Sequence, residues 1–126
     1  MSREEPDEEP KLNGVFLNLW LATGMLSTMS FDEISIAEDV SKCRRACIDF
    51  NLDWREVVTR SRERPFVEFR MLCSYHLRNR GWTYNQIGKF LGNRDHTTIL
   101  YNVKTCTHLL EWDRELRSKH RKFVQS

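Results

Sequence analysis

No stretch of this 126-residue chain is apolar for long enough to cross a bilayer. The best candidate, Val15 to Met29, is interrupted by Asn18, Thr23 and Gly24, and it falls short of the roughly 20 residues that a spanning helix needs. A secretory leader is not expected either. The first ten residues carry two prolines and five carboxylates, the reverse of a basic signal start. Cysteine is confined to Cys43, Cys47, Cys73 and Cys106. Cys43 and Cys47 share a helical face, but the other two are isolated, and a structural zinc needs four ligands from tight knuckles. Buried, reduced thiols that pack as small hydrophobes are the expectation. A Gly-x-x-x-x-Gly-Lys-Thr phosphate loop is absent. Asp95 and His96 are adjacent, but neighbours on a helix diverge by about 100°, and no nucleophile or oxyanion site accompanies them. These absences point away from an enzyme, a metal or other cofactor, a small-molecule substrate and a membrane, and toward a reduced cytoplasm.

What is present is charge, unevenly spread. Charged residues make up 30% of the chain and apolar ones 40%, ordinary for a folded domain. Residues 1–53 hold 5 basic and 11 acidic side chains, a net of −6. Residues 54–126 hold 15 and 7, a net of +8. A basic C-terminal part suits a polyanion; a solvated helical surface rich in Arg and Lys is the plainer alternative.

Within that basic part, residues 83–110 read as helix, tight turn, helix. Ile87 and Phe90 put apolar groups three apart on a short helix. Thr83 is a suitable N-cap, with Gln86 completing a capping box. Gly92 supplies a left-handed ending. Asp95 is expected to cap the second helix by accepting from its free N–H groups. From there Ile99, Val103, Cys106 and Leu110 form a 3.6-period stripe. Thr97, Thr98, Tyr101, Lys104 and Thr105 are left facing away from the core, with His96 at the edge. Exposed hydrogen-bonding residues at the start of such a second helix are what a helix-turn-helix offers to the DNA major groove. Arg94, at the turn, is placed to meet phosphate together with the helix N-terminus.

The run Ile87-Gly88-Lys89-Phe90-Leu91-Gly92-Asn93-Arg94-Asp95-His96-Thr97-Thr98-Ile99-Leu100 closely resembles the signature of the C-terminal DNA-binding domain of DnaA replication initiators. That signature reads Ile-Gly-x-x-Phe-Gly-x-Arg-Asp-His-Thr-Thr-Val-Leu, and Leu91 stands where the family usually has Phe. The resemblance covers about residues 34–126, and its specific part is 86–100. It implies an all-α fold, a small multi-helix bundle containing a helix-turn-helix (DnaA domain IV, Trp-repressor-like). It also implies binding of double-stranded DNA at a DnaA-box-like site, in the initiation or regulation of replication or in transcription. His96, Thr97 and Asp95 are then expected to read bases, with Thr98 and Arg94 contacting bases or backbone at the mouth of the motif. The basic loop Thr59-Arg60-Ser61-Arg62-Glu63-Arg64-Pro65 corresponds to one that reaches the minor groove in the family, through Arg60 or Arg62. Lys89, Arg78, Arg80 and Lys104 are expected on phosphates. Phe66 and Val67 depart from the family's usual Arg and Gln, and residues 78–82 lengthen a link. The family's ATPase module is not matched, so action without ATPase activity is expected.

The chain therefore divides into an acidic disordered tail (1–11), an apolar helix or appendage (12–32) and a DnaA C-terminal-like domain (33–126). Within the last, a helix bearing Val40, Cys43, Cys47 and Phe50 is followed by a short turn capped by Asp53. A helix is expected from about Phe66 to Asn79, with Pro65 suited to its first turn and His76 packed in it. Asp113 starts a last helix with a basic end. Residues 15–29 either pack on the protein's own core or dock a protein partner. The second option defines a rival function, a helical protein-interaction adaptor.

Overall fold

A computed structural model describes residues 31–59 and 61–126. The acidic tail, the apolar segment 15–29 and Arg60 lie outside the described residues. The elements are all helical: α1 (Phe31–Asp49), α2 (Trp54–Val57), α3 (Arg64–Asn79), α4 (Tyr84–Phe90), α5 (His96–Trp112) and α6 (Arg114–Gln125). The expected all-α class is the observed one.

Local chemistry sets most of the boundaries. Asn51 takes a left-handed φ of 59°, and the Leu52 amide reaches back to the Cys47 carbonyl at 3.0 Å, closing α1. The Asp53 carboxylate accepts from the Arg55 amide at 2.9 Å and starts α2. Pro65 sits in the first turn of α3, where its missing N–H is not needed. That helix begins at Arg64, two residues before the sequence expectation. The Asp113 carboxylate takes the amides of Glu115 and Leu116 at 3.0 and 3.2 Å, so α5 and α6 are separated by a single capping residue.

α3 runs through the middle of the core. Its Phe69, Leu72, Cys73 and Leu77 are fully buried against α1, α5 and α6. Phe69 meets Phe50 from the end of α1 and Phe123 from α6, with ring centroids 5.4 and 5.6 Å apart. Each fully buried Phe or Leu of this set contributes roughly 1.5–3 kcal/mol. All four cysteines are buried and unpaired, and burial pushes the Cys106 thiol up to about 12. They behave as core hydrophobes, as expected from their isolation. Among the described residues no group of His, Cys, Asp or Glu is arranged to hold a metal ion, and no helix is long and apolar enough to cross a membrane.

Two polar ties brace this core from α1. The buried Asp39 accepts from the Trp82 indole N–H and from Arg80 Nε, each at 2.9 Å, fixing the α3–α4 link. Lys42 Nζ donates to the carbonyls of Val124 and Ser126, holding the end of α6.

His76 packs its ring 5.4 Å from Phe123, and His120 lies edge-on to Tyr75 at 5.5 Å, both across the α3–α6 contact. Burial lowers both imidazoles below their ordinary value of 6.5. The folded state therefore holds these rings less protonated than the unfolded chain does. Stability should be full above pH 7 and fall as the pH drops below 6.5, where the unfolded histidines gain protons before the folded ones do. Urea denaturation at pH 7 and pH 5 checks this: the native protein loses stability, and His76→Phe, which keeps a ring against Phe123, shows a smaller loss.

Candidate nucleic-acid interface

The helix-turn-helix is built on two glycines. Thr83 caps α4 with a complete capping box: its hydroxyl accepts from the Gln86 amide at 3.1 Å, and the Gln86 side chain accepts from the Thr83 amide at 2.8 Å. Ile87, Leu91 and Ile99 are fully buried between α4 and α5. The chain then turns through two successive left-handed residues, Gly92 at φ 98° and Asn93 at φ 60°. The turn folds back so closely that the Arg94 amide donates to the Gly88 carbonyl at 2.8 Å. A Cβ on Gly88 would lie 2.2 Å from the Arg94 carbonyl oxygen, and one on Gly92 would lie 2.1 Å from the Val58 carbonyl oxygen. Neither distance is tolerable, so both positions require glycine for space, and Gly92 for its φ as well.

The second contact brings in the basic loop. Arg94 Nη1 donates to the Leu91 carbonyl within the turn, and Nη2 donates to the Thr59 carbonyl in the α2–α3 loop. From α3, Arg70 Nη1 donates to the Val57 carbonyl at 3.0 Å and Nη2 to that of Ser61. Two arginines thus hold three carbonyls of the stretch 57–61, and Gly92 abuts a fourth. The loop that carries Arg62 is fixed against the turn that launches α5. Arg70 is 6% exposed. Burial, with the nearby Arg94 charge, pushes its guanidinium down to about 10, still cationic at neutral pH.

At the start of α5, Asp95, His96, Thr97 and Thr98 are all exposed. Asp95 occupies the N-cap position with extended φ and ψ, but its carboxylate makes no capping bond. It accepts instead from the Thr97 hydroxyl, with His96 Nδ1 at 3.5 Å. The Thr97 hydroxyl holds the Asp95 carboxyl below its usual value. The expected cap thus has the right backbone and a different side-chain partner: a hydroxyl two residues on competes for the same oxygens. Ile99 and Cys106 are buried and Val103 and Leu110 partly so, as the stripe predicts. Tyr101 is 69% exposed on the opposite face and Lys104 is exposed beside it, whereas Thr105 is half-buried.

The cations expected on DNA fall into two groups. Arg62, Lys89 and Lys104 are exposed, and no hydrogen bond or ion pair engages them among the described residues. Arg78 donates to the Trp82 carbonyl at 3.0 Å and stacks 4.1 Å from the Tyr84 ring centroid. Arg80 pairs with Asp39. Both are occupied in holding the α3–α4 link, and Arg94 is occupied in the turn. Arg70 is the residue that sequence reasoning missed. Its signal was a lone cation inside the apolar run Phe69-Arg70-Met71-Leu72-Cys73, a place where a charge persists only with hydrogen-bond partners.

The family described as bacterial dnaA protein helix-turn-helix matches residues 43–106. The chain is similar to the chromosomal replication initiator protein DnaA of Bacteroides thetaiotaomicron, 35% identical over 74 residues, which cover 58% of this chain and 16% of that protein. It is 32% identical to the protein of the same name from Thermus thermophilus over 107 residues, 84% of this chain and 24% of the relative. With that of Thermomicrobium roseum the identity is 37% over 73 residues, 57% of this chain and 16% of the relative. This chain thus spans between a sixth and a quarter of the length of these relatives.

The contact at Gly88 generates a direct test. Gly88→Ala drives a methyl into the Arg94 backbone, which cannot move without opening the turn. It should destabilise the domain by about 2–3 kcal/mol, the upper range for overpacking, measured by urea denaturation. Gly81→Ala, at a left-handed φ of 99° but with nothing within 4 Å of its Cβ, is the comparison without a clash and should cost less.

Proposed function

This chain belongs to the family of the bacterial DnaA helix-turn-helix, and from that membership we propose that it binds double-stranded DNA sequence-specifically at a DnaA-box-like site. The setting is the initiation or regulation of replication, or transcription, in the cytoplasm and without an ATPase step of its own. The observation that carries this reading is the exposed first turn of α5 with a cationic loop locked beside it by Arg70 and Arg94. That arrangement suits a recognition helix whose N-terminal residues enter the major groove.

In this reading His96, Thr97 and Thr98 meet base edges. Thr97 gives its proton to Asp95, so its oxygen meets DNA as an acceptor, suited to the amino group of adenine or cytosine, and its methyl suits that of thymine. Asp95 orients Thr97 and is itself an acceptor for cytosine. Arg62 is the described candidate for the minor groove, where a narrow A·T-rich segment concentrates negative potential; Arg60 stays a candidate from the sequence. Lys89 and Lys104 take phosphates. Arg94 contributes charge at the mouth while holding the turn. Arg78 and Arg80 receive no DNA role, because each already has an internal partner.

An adaptor that used this motif only as scaffold would bury or neutralise the basic face. Arg62, Lys89 and Lys104 stand exposed and unengaged among the described residues, which favours DNA over the adaptor reading.

The test is fluorescence anisotropy with a duplex carrying a DnaA-type box and a scrambled duplex, across a salt series. Selective binding is expected, with affinity falling steeply as salt rises. His96→Ala and Thr97→Ala should each reduce discrimination by roughly 1–3 kcal/mol. Lys89→Ala and Lys104→Ala should weaken both duplexes alike and each flatten the salt slope by about 1. Equal affinity for the two duplexes, at every salt concentration, is the result that would overturn sequence-specific binding.

A further inference from the structure

A guanidinium is a poor choice for the middle of α3 on stability grounds alone. Arg70 lies between Phe69 and Met71 in a helix whose neighbouring Leu72 and Cys73 are fully buried. No carboxylate pairs with it among the described residues, and the charge that faces it from the turn, Arg94, has the same sign. An apolar side chain of similar length in such a place is often neutral or stabilising. What Arg70 has that such a side chain lacks is a fork of donors. Its two terminal nitrogens reach carbonyls four residues apart, Val57 at the end of α2 and Ser61 immediately before Arg62. A planar fork fixes both distance and direction. Arg94 takes the Thr59 carbonyl between them.

We propose that Arg70 is a positioning residue for Arg62: by spanning the Val57 and Ser61 carbonyls it sets the path of the α2–α3 loop, so that Arg62 is presented to DNA alongside the first turn of α5. The inference rests on the DNA-binding reading above and adds a residue that does not touch DNA. Its physical content is preorganisation. A loop already tied at its ends loses little freedom on binding, so a contact made from it keeps most of its strength. Without the fork, the two carbonyls turn to water, the loop takes many paths, and an Arg62 contact must bear the cost of ordering it.

A double-mutant cycle separates this from a merely structural role, because it reads coupling and not stability. The variants are Arg62→Ala, Arg70→Met and the pair, measured by anisotropy on the DnaA-type-box duplex and the scrambled duplex across a salt series. Circular dichroism confirms folding. Arg62→Ala is expected to weaken box binding about tenfold in the native background and less than twofold in Arg70→Met, with the salt slope flattened by about 1 in all three variants. Discrimination lost through Thr97→Ala should be the same with and without Arg70→Met. If Arg70→Met does not fold, Arg70→Lys replaces it. Lysine keeps the charge, but a single ammonium cannot reproduce the fork, and the same loss of coupling is expected.

A tenfold effect of Arg62→Ala in both backgrounds overturns the positioning role and leaves the DNA reading intact. So does native affinity in the Arg70 variant. A native protein that binds both duplexes equally overturns the DNA reading and this proposal with it.

Discussion

Three carbonyl oxygens within the stretch 57–61, those of Val57, Thr59 and Ser61, receive guanidinium donors from two different parts of the chain. The rest of the interface hangs on that accounting. Backbone polar groups drawn toward a core need partners, and this loop finds them neither in helix nor in sheet. Arg70 answers from α3 and Arg94 from the turn before α5. The fourth carbonyl, that of Val58, faces Gly92 so closely that any side chain there would strike it. One small volume therefore joins α2, α3, the loop and the helix-turn-helix turn, and none of the four can shift alone.

The division of the arginines follows from the same logic. A net of +8 over residues 54–126 describes a basic surface but does not say which charges are free to meet a polyanion. Arg78 and Arg80 are near each other in sequence, and both are held by the α3–α4 link, one on a carbonyl and a ring, the other on the buried Asp39. Among the described residues, Arg62, Lys89 and Lys104 have neither. Salt-sensitive attraction to phosphate should come from this second group, because a guanidinium already bonded to a buried carboxylate gains less by meeting another anion.

Short-range chemistry was legible in the sequence. The Thr83–Gln86 capping box, the Asp53 and Asp113 caps, Pro65 in the first turn of α3 and the buried face of α5 depend on residues within a few positions of one another. The signature Arg94 to Thr98 fixed the family. The bonds of Asp39 to Trp82 and of Arg70 to Val57 and Ser61 span 43, 13 and 9 residues, and no periodicity reports them. Asp95 shows the limit of even local reading. Its backbone is that of an N-cap, yet the carboxylate is drawn to the Thr97 hydroxyl, because a side chain with two acceptor oxygens has more than one local donor to choose from.

The clamp at the loop also depends on the far side of the domain. Arg70 delivers its fork from α3, so the position of the fork is only as well defined as α3 itself. That helix is wedged at its first turns by Phe69 between Phe50 and Phe123, and α6, which carries Phe123, is tied to α1 through Lys42. Its other end is fixed by the Arg78 and Asp39 ties to Trp82. Packing at interior density resists displacement of any of these parts. The aromatic cluster at one end and the buried carboxylate at the other thus do more than stabilise the fold. They hold rigid the helix from which the α2–α3 loop is positioned, and through it the spacing between Arg62 and the first turn of α5.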